Sequence, residues 1–414
     1  CLAPLFFVAS RAHHAEIGGM RPGSMPPESK NLAEEGVLIR AFRWMQDGQA
    51  RQDKLRALLA SSPFPSRSPD DNLADIAAQA AANQTGVHAL LSMVSQHGIN
   101  VVRAYMTHIQ IAAENKMRAV LHKLDDGIHK FEDRMDDGTT IRLAVTIRDG
   151  TAAFDFTGTD PVHPGNFNAN RAIVTSAVLY CLRCLIDDDI PLNAGVLAPV
   201  EINLPRCFLN PEGNPDPRKC PAVAAGNVET SQRIVDTIFG ALGMVAASQG
   251  TMNNLLVGNE RFGYYETICG GAGAGATFDG ADAVHTNMTN TRLTDPEVLE
   301  SRYPARLLRF QIRKNSGGAG RFHGGCGVVR EFEFLEPLDV SLITQRRLVA
   351  PYALAGGGPG SLGKNTLVRA AHAIDHREST IENPTVLTPI ASISVQPGDR
   401  LILETPGGGG WGRP

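Results

Sequence analysis

Near the start of the chain, "FFVASRAHHAEIGGMRPGSMPP" crowds Arg11, His13, His14 and Glu16 into a short stretch. Neutral imidazoles and a carboxylate are ligands for a divalent transition metal such as zinc or manganese, and a strand end would hold them rigidly. Adjacent residues on a strand face opposite ways, so only one of the two histidines can join Glu16 unless a loop has begun. A site needing three or four ligands is not completed by this cluster alone. The competing reading is a pair of histidines that satisfy loop backbone.

A second stretch, "GNVETSQR", puts Asn227 and Glu229 ahead of a predicted helix, whose first N–H groups form a natural anion site. Plain capping by Thr230 or Ser231 is the simpler account of the same residues. The densest mixture of glycine and polar residues is "YYETICGGAGAGATFDGADAVHTNMTNTR", which carries His285, Asn287, Asn290 and Arg292. Glu229, His285 and Asn290 are the candidate catalytic groups, and Arg11, Asn227, Asn287 and Arg292 the candidate substrate contacts. "GGAGAG" has the look of a phosphate loop, but no long helix follows it.

The remaining motifs carry simpler readings. "GPGSLGKN" approaches a phosphate-binding loop, yet Asn365 stands where Ser or Thr would bind magnesium. Cys181 and Cys184 form a C-x-x-C inside an apolar helical run, which predicts two structural thiols on one buried face. Cys269 has no local base to activate it as a nucleophile. The runs Asp136-Asp137 and Asp187-Asp188-Asp189 read as solvated turns.

The elements that must position these residues follow from periodicity. Residues 1–27 read as a strand and a proline-rich loop, followed by a turn and a second strand. "QARQDKLRALLASS" has a helical period. Apolar spacing from Leu73 to Leu124 predicts two long helices with a stop at Gly98-Ile99-Asn100. The period then switches to two in "IRLAVTIRDGTAAFDFTGTD", a hairpin around Asp149-Gly150. "AIVTSAVLYCLRCLI" and "SQRIVDTIFGALGMVAA" read as helices, and the chain turns glycine-rich and strand-like after about residue 250. The predicted class is α+β: a helical layer, a mixed centre and a β-rich C-terminal half. One region, 1–414, divides into a strand and helical part (1–140), a mixed part (141–250) and a glycine-rich β part (251–414).

Composition narrows the function. The 414 residues carry a net charge of −4 with 20% charged side chains, and no basic stripe marks a nucleic-acid face. No apolar run is long enough to span a bilayer, and the first residues lack a signal-peptide pattern. Seven scattered cysteines suit a reducing compartment, so a cytoplasmic protein is expected. The chain starts with Cys1, already inside an apparent strand, and is expected to be a fragment or an incomplete gene product.

The segments quoted above, with "DNLADIAAQAAANQTG", "MTNTRLTDPEVLESRYP", "SGGAGRFHGGCGVVREFEF" and "TPGGGGWG", resemble the hydantoinase B / 5-oxoprolinase family almost end to end. The subfamily resembled is the ATP-dependent 5-oxoprolinases, on the strength of "MTNTRLTDPEVLESRYP" and "YCLRCL". The resemblance implies conversion of 5-oxo-L-proline, ATP and water to L-glutamate, ADP and phosphate, a step of glutathione metabolism. It implies that ATP and Mg bind mainly in a hydantoinase A-like portion, as a domain or a partner subunit, and that the complete enzyme is a homo-oligomer. It also implies a metal site in which His13 follows a Gly-Gly-x-His-x-x-Asp segment lying before Cys1; Glu16 stands where many relatives have Asp. Alternatives are a hydantoinase or an acetone/acetophenone carboxylase subunit with a separate ATP-binding chain, or a scaffold for such a chain.

Overall fold

A computed structural model describes residues 4–186, 192–370 and 384–414. The Asp187-Asp188-Asp189 run lies outside them. Residues 4–27 form no regular strand, and the expected second strand is replaced by a one-turn helix, α1 (Leu32–Glu35), and a small ribbon, β1 (Met45–Gln46) with β2 (Gln49–Ala50). The reason is local: Gly18, Gly19 and Gly23 take positive φ, and prolines 22, 26 and 27 interrupt any ladder.

Helix α2 (Gln52–Ala60) buries Leu55 and Leu59 against Val37 and Leu73. The two long helices appear as expected, α3 (Pro69–His97) and α4 (Ile99–Leu121). Pro69 suits the first helical turn, where its missing N–H goes unused, and Gly98 at φ 80° stops the first helix and starts the second. The hairpin tip leaves Leu91, Met93, Val101 and Tyr105 exposed.

A four-stranded sheet follows, with β3 (Gly127–Arg134), β4 (Thr140–Arg148) and β5 (Thr151–Asp155) antiparallel and β6 (Val200–Asn203) parallel to β5. Asp149 (φ 46°) and Gly150 (φ 68°) make the tight turn that the Asp-Gly pair predicts. Helices α5 (Arg171–Cys184) and α6 (Ser231–Ala241) cover this sheet. Val145, Phe154, Val174, Val178, Ile234 and Ile238 belong to the resulting core. Cys181 is buried in it, but Cys184 is exposed, so the thiols do not share one buried face. The 3.6-residue period separates positions i and i+3 by about 60°, enough here to carry the second outside.

The second half is a β-sandwich. One sheet holds β7 (Asn254–Gly258), β8 (Gly263–Glu266), β11 (Leu338–Ile343) and β14 (Ile390–Val395), in the order β14-β11-β7-β8. The other orders β13 (Thr385–Leu387), β12 (Lys364–Val368), β15 (Arg400–Glu404), β10 (Val328–Phe334) and β9 (Ala305–Ile312). Helix α7 (Pro296–Arg302) precedes β9. Alternating side chains such as Leu338, Val340, Leu342, Phe332, Phe334, Leu401 and Leu403 fill the space between the sheets.

Beside the sandwich, "GGAGAG", the stretch 316–327 and "TPGGGGWG" run against one another as bare backbone. Gly325 N–H donates to Ala272 O (2.8 Å), Gly408 N–H to Gly325 O (2.9 Å), and Gly318 N–H to Gly408 O (2.8 Å). A Cβ on Gly408 would sit 1.9 Å from Ala272 O, and one on Gly271 would sit 1.9 Å from Gly325 O. The glycine run is therefore a packing device, its N–H groups already taken by carbonyls and by Ser248 Oγ. "GPGSLGKN" leads into strand β12 rather than a helix.

Candidate active site

The sheet-and-helix half meets the β-sandwich at the start of α6. The expected cap is not there. Residues Gly226–Thr230 form a π-helical turn that runs straight into α6. Thr230 Oγ1 donates to Phe167 O (2.6 Å) and Ser231 Oγ to Asn227 O (2.6 Å), so neither caps a free N–H. Such a π-turn inside a helix is a common mark of functional positions. Gly226 permits it, because a Cβ there would meet Asn168 O at 2.1 Å.

Glu229 is carried inward by this turn and is 0% exposed. Its Oε1 accepts from Met252 N–H (3.0 Å) and Asn254 Nδ2 (2.6 Å), while Oε2 has no partner. Burial pushes this carboxyl up to about 8, eased by Thr251, the Met252 N–H and the positive charges of Arg347 and Arg233. With Oε1 occupied as an acceptor, Oε2 is the oxygen that would carry the proton in the neutral form and so act as a donor.

From Glu229 a ring can be followed through side-chain hydrogen bonds, a backbone bridge and neighbouring positions in the chain. Asn253, next to Asn254, donates to Gln249 Oε1 (2.7 Å). Gln249 fits only because Gly270 has no side chain; a Cβ there would lie 1.9 Å from Gln249 Oε1. Gly270 forms a two-way backbone bridge with Val284, which precedes His285. Gln232, one turn beyond Glu229, closes the ring by donating to Thr286 O (3.1 Å) and Thr289 Oγ1 (2.7 Å).

This ring is short of partners. Among the described residues, Glu229 Oε2, Gln232 Oε1, Gln249 Nε2, Thr286 Oγ1 and both ring nitrogens of His285 are buried with no hydrogen bond. Burial lowers the His285 pKa, so its imidazole is neutral and offers one donor and one acceptor. A buried polar atom without a partner costs about 1–3 kcal/mol, so several together are tolerated only for a purpose.

Behind the ring lies a second polar layer in which every carboxylate has its cation. Arg346 Nη2 reaches Asp133 Oδ2 (2.7 Å) and Asp236 Oδ2 (2.8 Å), and Arg233 Nη1 reaches Asp133 Oδ1 (3.2 Å). Asp136 accepts from the N–H groups of Arg347 (2.7 Å), Leu348 (3.2 Å) and Val349 (3.0 Å), and its side chain is 2% exposed. The solvated turn expected for Asp136-Asp137 is thus half wrong: Asp137 faces outward, but Asp136 is a buried anchor. Burial raises Asp236 to about 6 against the pull of Arg346, whereas Arg346 and Arg233 outweigh burial at Asp133 and hold it low.

The sequence-selected residues divide accordingly. Glu229 and His285 stand on the ring, Asn227 lies half-buried one turn before it, and Asn287 donates weakly to Asp236 (3.4 Å). Asn290, Arg292 and Arg11 are exposed. His13 is exposed, and His14 pairs with Asp75 at 2.8 Å. Glu16 is buried and saturated: Gly18 N–H, Ser66 Oγ, the Arg67 N–H and guanidinium, and Ser68 N–H all donate to it. These three residues by themselves therefore do not fit a metal. Among the described residues, no group of three or more His, Cys, Asp or Glu is placed to hold one. Cys269 is buried with its thiol pushed up to about 11, which removes it as a nucleophile.

Gln232, Gln249, Asn253, Asn254 and Arg347 escaped the sequence reading. For all but Gln232, which lies in "GNVETSQR", the signal was available in "SQGTMNN" and "TQRR", polar runs beside apolar strands. Every residue of both runs is buried.

Comparison with known proteins adds a lineage to this geometry. The sequence profile described as hydantoinase B/oxoprolinase matches residues 2–414. The chain is 44% identical over 99% of its length to 5-oxoprolinase 1 of Arabidopsis thaliana, covering 33% of that protein. It is 43% identical to the 5-oxoprolinase of Saccharomyces cerevisiae, again over 99% of this chain and 33% of the other. The chain thus spans about a third of the length of these relatives. Among solved structures, the ATP-dependent caprolactamase from Pseudomonas jessenii superimposes with a TM-score of 0.79 at 26% identity, covering 97% of this chain and 72% of that one. A nucleotide-free acetone carboxylase shares the fold with the same TM-score at 17% identity, covering 97% of this chain and 60% of that one.

Proposed function

The chain belongs to the hydantoinase B/oxoprolinase family, and from that premise we propose that it is the hydantoinase B-like part of an ATP-dependent 5-oxoprolinase. The observation that carries this reading is identity of 41–44% over 99% of the chain to 5-oxoprolinases from a plant, a yeast and a slime mould. Its reaction takes 5-oxo-L-proline, ATP and two waters to L-glutamate, ADP and phosphate. ATP and its Mg would be held by a hydantoinase A-like portion, and the complete enzyme would be a cytoplasmic homo-oligomer.

Amide resonance protects a lactam carbonyl, and transfer of the terminal phosphoryl group of ATP to the lactam oxygen would remove that protection. The polar side chains gathered around Glu229 suit the hydrolysis of such an activated lactam. Neutral His285 takes a proton from the attacking water as it bonds to the lactam carbon. The Glu229 Oε2–H donates to the lactam nitrogen as the C–N bond breaks, so that the amine leaves neutral. Displacement of the acyl phosphate by the second water then yields the carboxylate and inorganic phosphate. Gln232 and Gln249 orient the amide plane, and the half-buried Asn227 and Asn287 border the site.

The test is 5-oxoproline-dependent ATP hydrolysis by this chain alone and after joining to a hydantoinase A-like portion. Activity is expected only in the joined protein. Full activity of the 414-residue chain alone, or turnover of a hydantoin or ketone with 5-oxoproline inert, would overturn the reading.

A further inference from the structure

The ring of unpaired polar atoms borders a buried cation, Arg347, that forms no ion pair among the described residues. Arg347 is 7% exposed. Its guanidinium donates to Asn253 Oδ1 (2.6 Å), Gln345 O (2.7 Å) and Asn365 Oδ1 (2.9 Å), all neutral oxygens, and its Nε has no partner. The neighbouring carboxylates do not compensate it. Asp136 is engaged by three backbone N–H groups, and Glu229 is held neutral by burial. Burial drags Arg347 down to about 10; the charges of Glu229, when ionised, and Asp136 oppose this without closing an ion pair. An isolated buried charge is costly, and proteins retain one where a counter-ion arrives from outside.

Asn253 joins the two features, since it accepts from Arg347 and donates to Gln249. The unused atoms then spell out a ligand. Glu229 Oε2–H and Gln249 Nε2 are donors, which a carbonyl oxygen satisfies. Gln232 Oε1 is an acceptor, which an amide N–H satisfies. Arg347 asks for a single negative charge, and its planar fork suits a carboxylate.

We infer that Glu229, Gln232, Gln249 and Arg347 form a binding site for a small monocarboxylate built around an amide group. The inference deepens the proposed function and rests on it only for the identity of the natural ligand. The donor pattern discriminates by chemistry. A lactam without a carboxylate leaves Arg347 uncompensated, and an amino acid without an amide leaves both glutamines unpaired. A site built to hydrogen-bond a group rejects analogues that lack it, because its buried atoms then go unsatisfied.

The experiment measures direct binding to the 414-residue chain, by calorimetry and by thermal stabilisation, with four probes: 5-oxo-L-proline, N-acetylglycine, 2-pyrrolidinone and L-proline. The two amide carboxylates are expected to bind at least about tenfold more tightly than the other two. Gln249→Met and Arg347→Lys should each weaken them about tenfold or more, whereas Glu229→Gln, which keeps a donor at the same atom, should retain binding. Equal binding of 2-pyrrolidinone, no binding of any probe, or unchanged affinity in both weakened variants overturns the site. If the joined protein shows no 5-oxoproline-dependent ATP hydrolysis while N-acetylglycine still binds, the functional reading falls and the site stands. If that hydrolysis is present with a KM unmoved by Gln249→Met, the site falls and the function stands. The four-probe comparison on the unaltered chain decides the matter even where a variant fails to fold.

Discussion

Two buried polar layers sit side by side at the junction of the halves, and they follow opposite rules. In the ionic layer, Asp133 and Asp236 share Arg346, and Arg233 adds a second cation. In the ring, Glu229, Gln232, Gln249 and His285 are equally hidden but leave polar atoms unpaired. Pairing within the chain means that the charges of the first layer are compensated by folding, although Arg233 Nη2 and Arg346 Nε lack a hydrogen bond among the described residues, and the layer ties the α6 segment, the β3–β4 turn and the loop after β11 together. The second layer is completed only by something that binds.

The largest effect should come from breaking the finished layer. Arg346→Met strands Asp236 without an ion pair and leaves Asp133 with Arg233 alone, and should cost about 3–5 kcal/mol in denaturant unfolding. Gln249→Met, in the unfinished layer, should cost no more than about 1 kcal/mol, because it removes one good hydrogen bond and one orphan. Equal losses would erase the distinction between the layers.

Next in size, His285→Ala should lower 5-oxoproline-dependent turnover of the joined protein by about 100-fold or more, roughly 2.7 kcal/mol of transition-state stabilisation. Its unfolding midpoint should barely move, since the ring nitrogens hold nothing in place. Turnover left within a few-fold of the original would reduce the ring to scaffold.

A third effect comes from protons. Glu229 has a folded value near 8 against an ordinary 4.5, Glu35 near 7 and Asp236 near 6 against 3.8. For each, the unfolded chain loses its proton first, so stability falls as pH rises from the ordinary value to the folded one and is level above it. Between pH 7 and 8 only Glu229 of the three still contributes. Glu229→Gln should therefore flatten the decline of unfolding free energy across that interval, a change of about 1 kcal/mol. A decline of the same slope in the variant would show that the carboxyl is already ionised.

The smallest effects belong to the exposed residues. Asn290→Ala and Arg292→Ala should change turnover by less than about threefold and stability by less than about 0.5 kcal/mol. A larger fall in turnover would mean that a partner surface covers them.

Short-range physics accounts for everything that was legible in the sequence. The long helices with their break at Gly98, the Asp149-Gly150 turn and the sandwich strands all follow from periodicity and turn chemistry. Glu229 and His285 were picked out as candidates because a carboxylate before a helix and a histidine in a glycine-rich loop are unusual. Their setting was not legible. Glu16 looked like a metal ligand because residue type says nothing of how many donors surround it, and five come from residues 18 and 66–68. "GGAGAG" looked like a phosphate cradle because a run of residues does not show that its N–H groups are taken, two of them by Pro406 and Gly409 near the end of the chain.

The sequence by itself determined the family, the α+β class and the elements, since each rests on patterns within a few turns of chain. Only the tertiary structure decided which polar groups are finished and which are waiting. Asp133 finds Arg346 across 213 positions, while Gln249 and Gln232, drawn into the same interior, find no partner for one atom each. That difference depends on the low dielectric of the interior and on the three-dimensional count of donors and acceptors. Neither is written in any local run of residues.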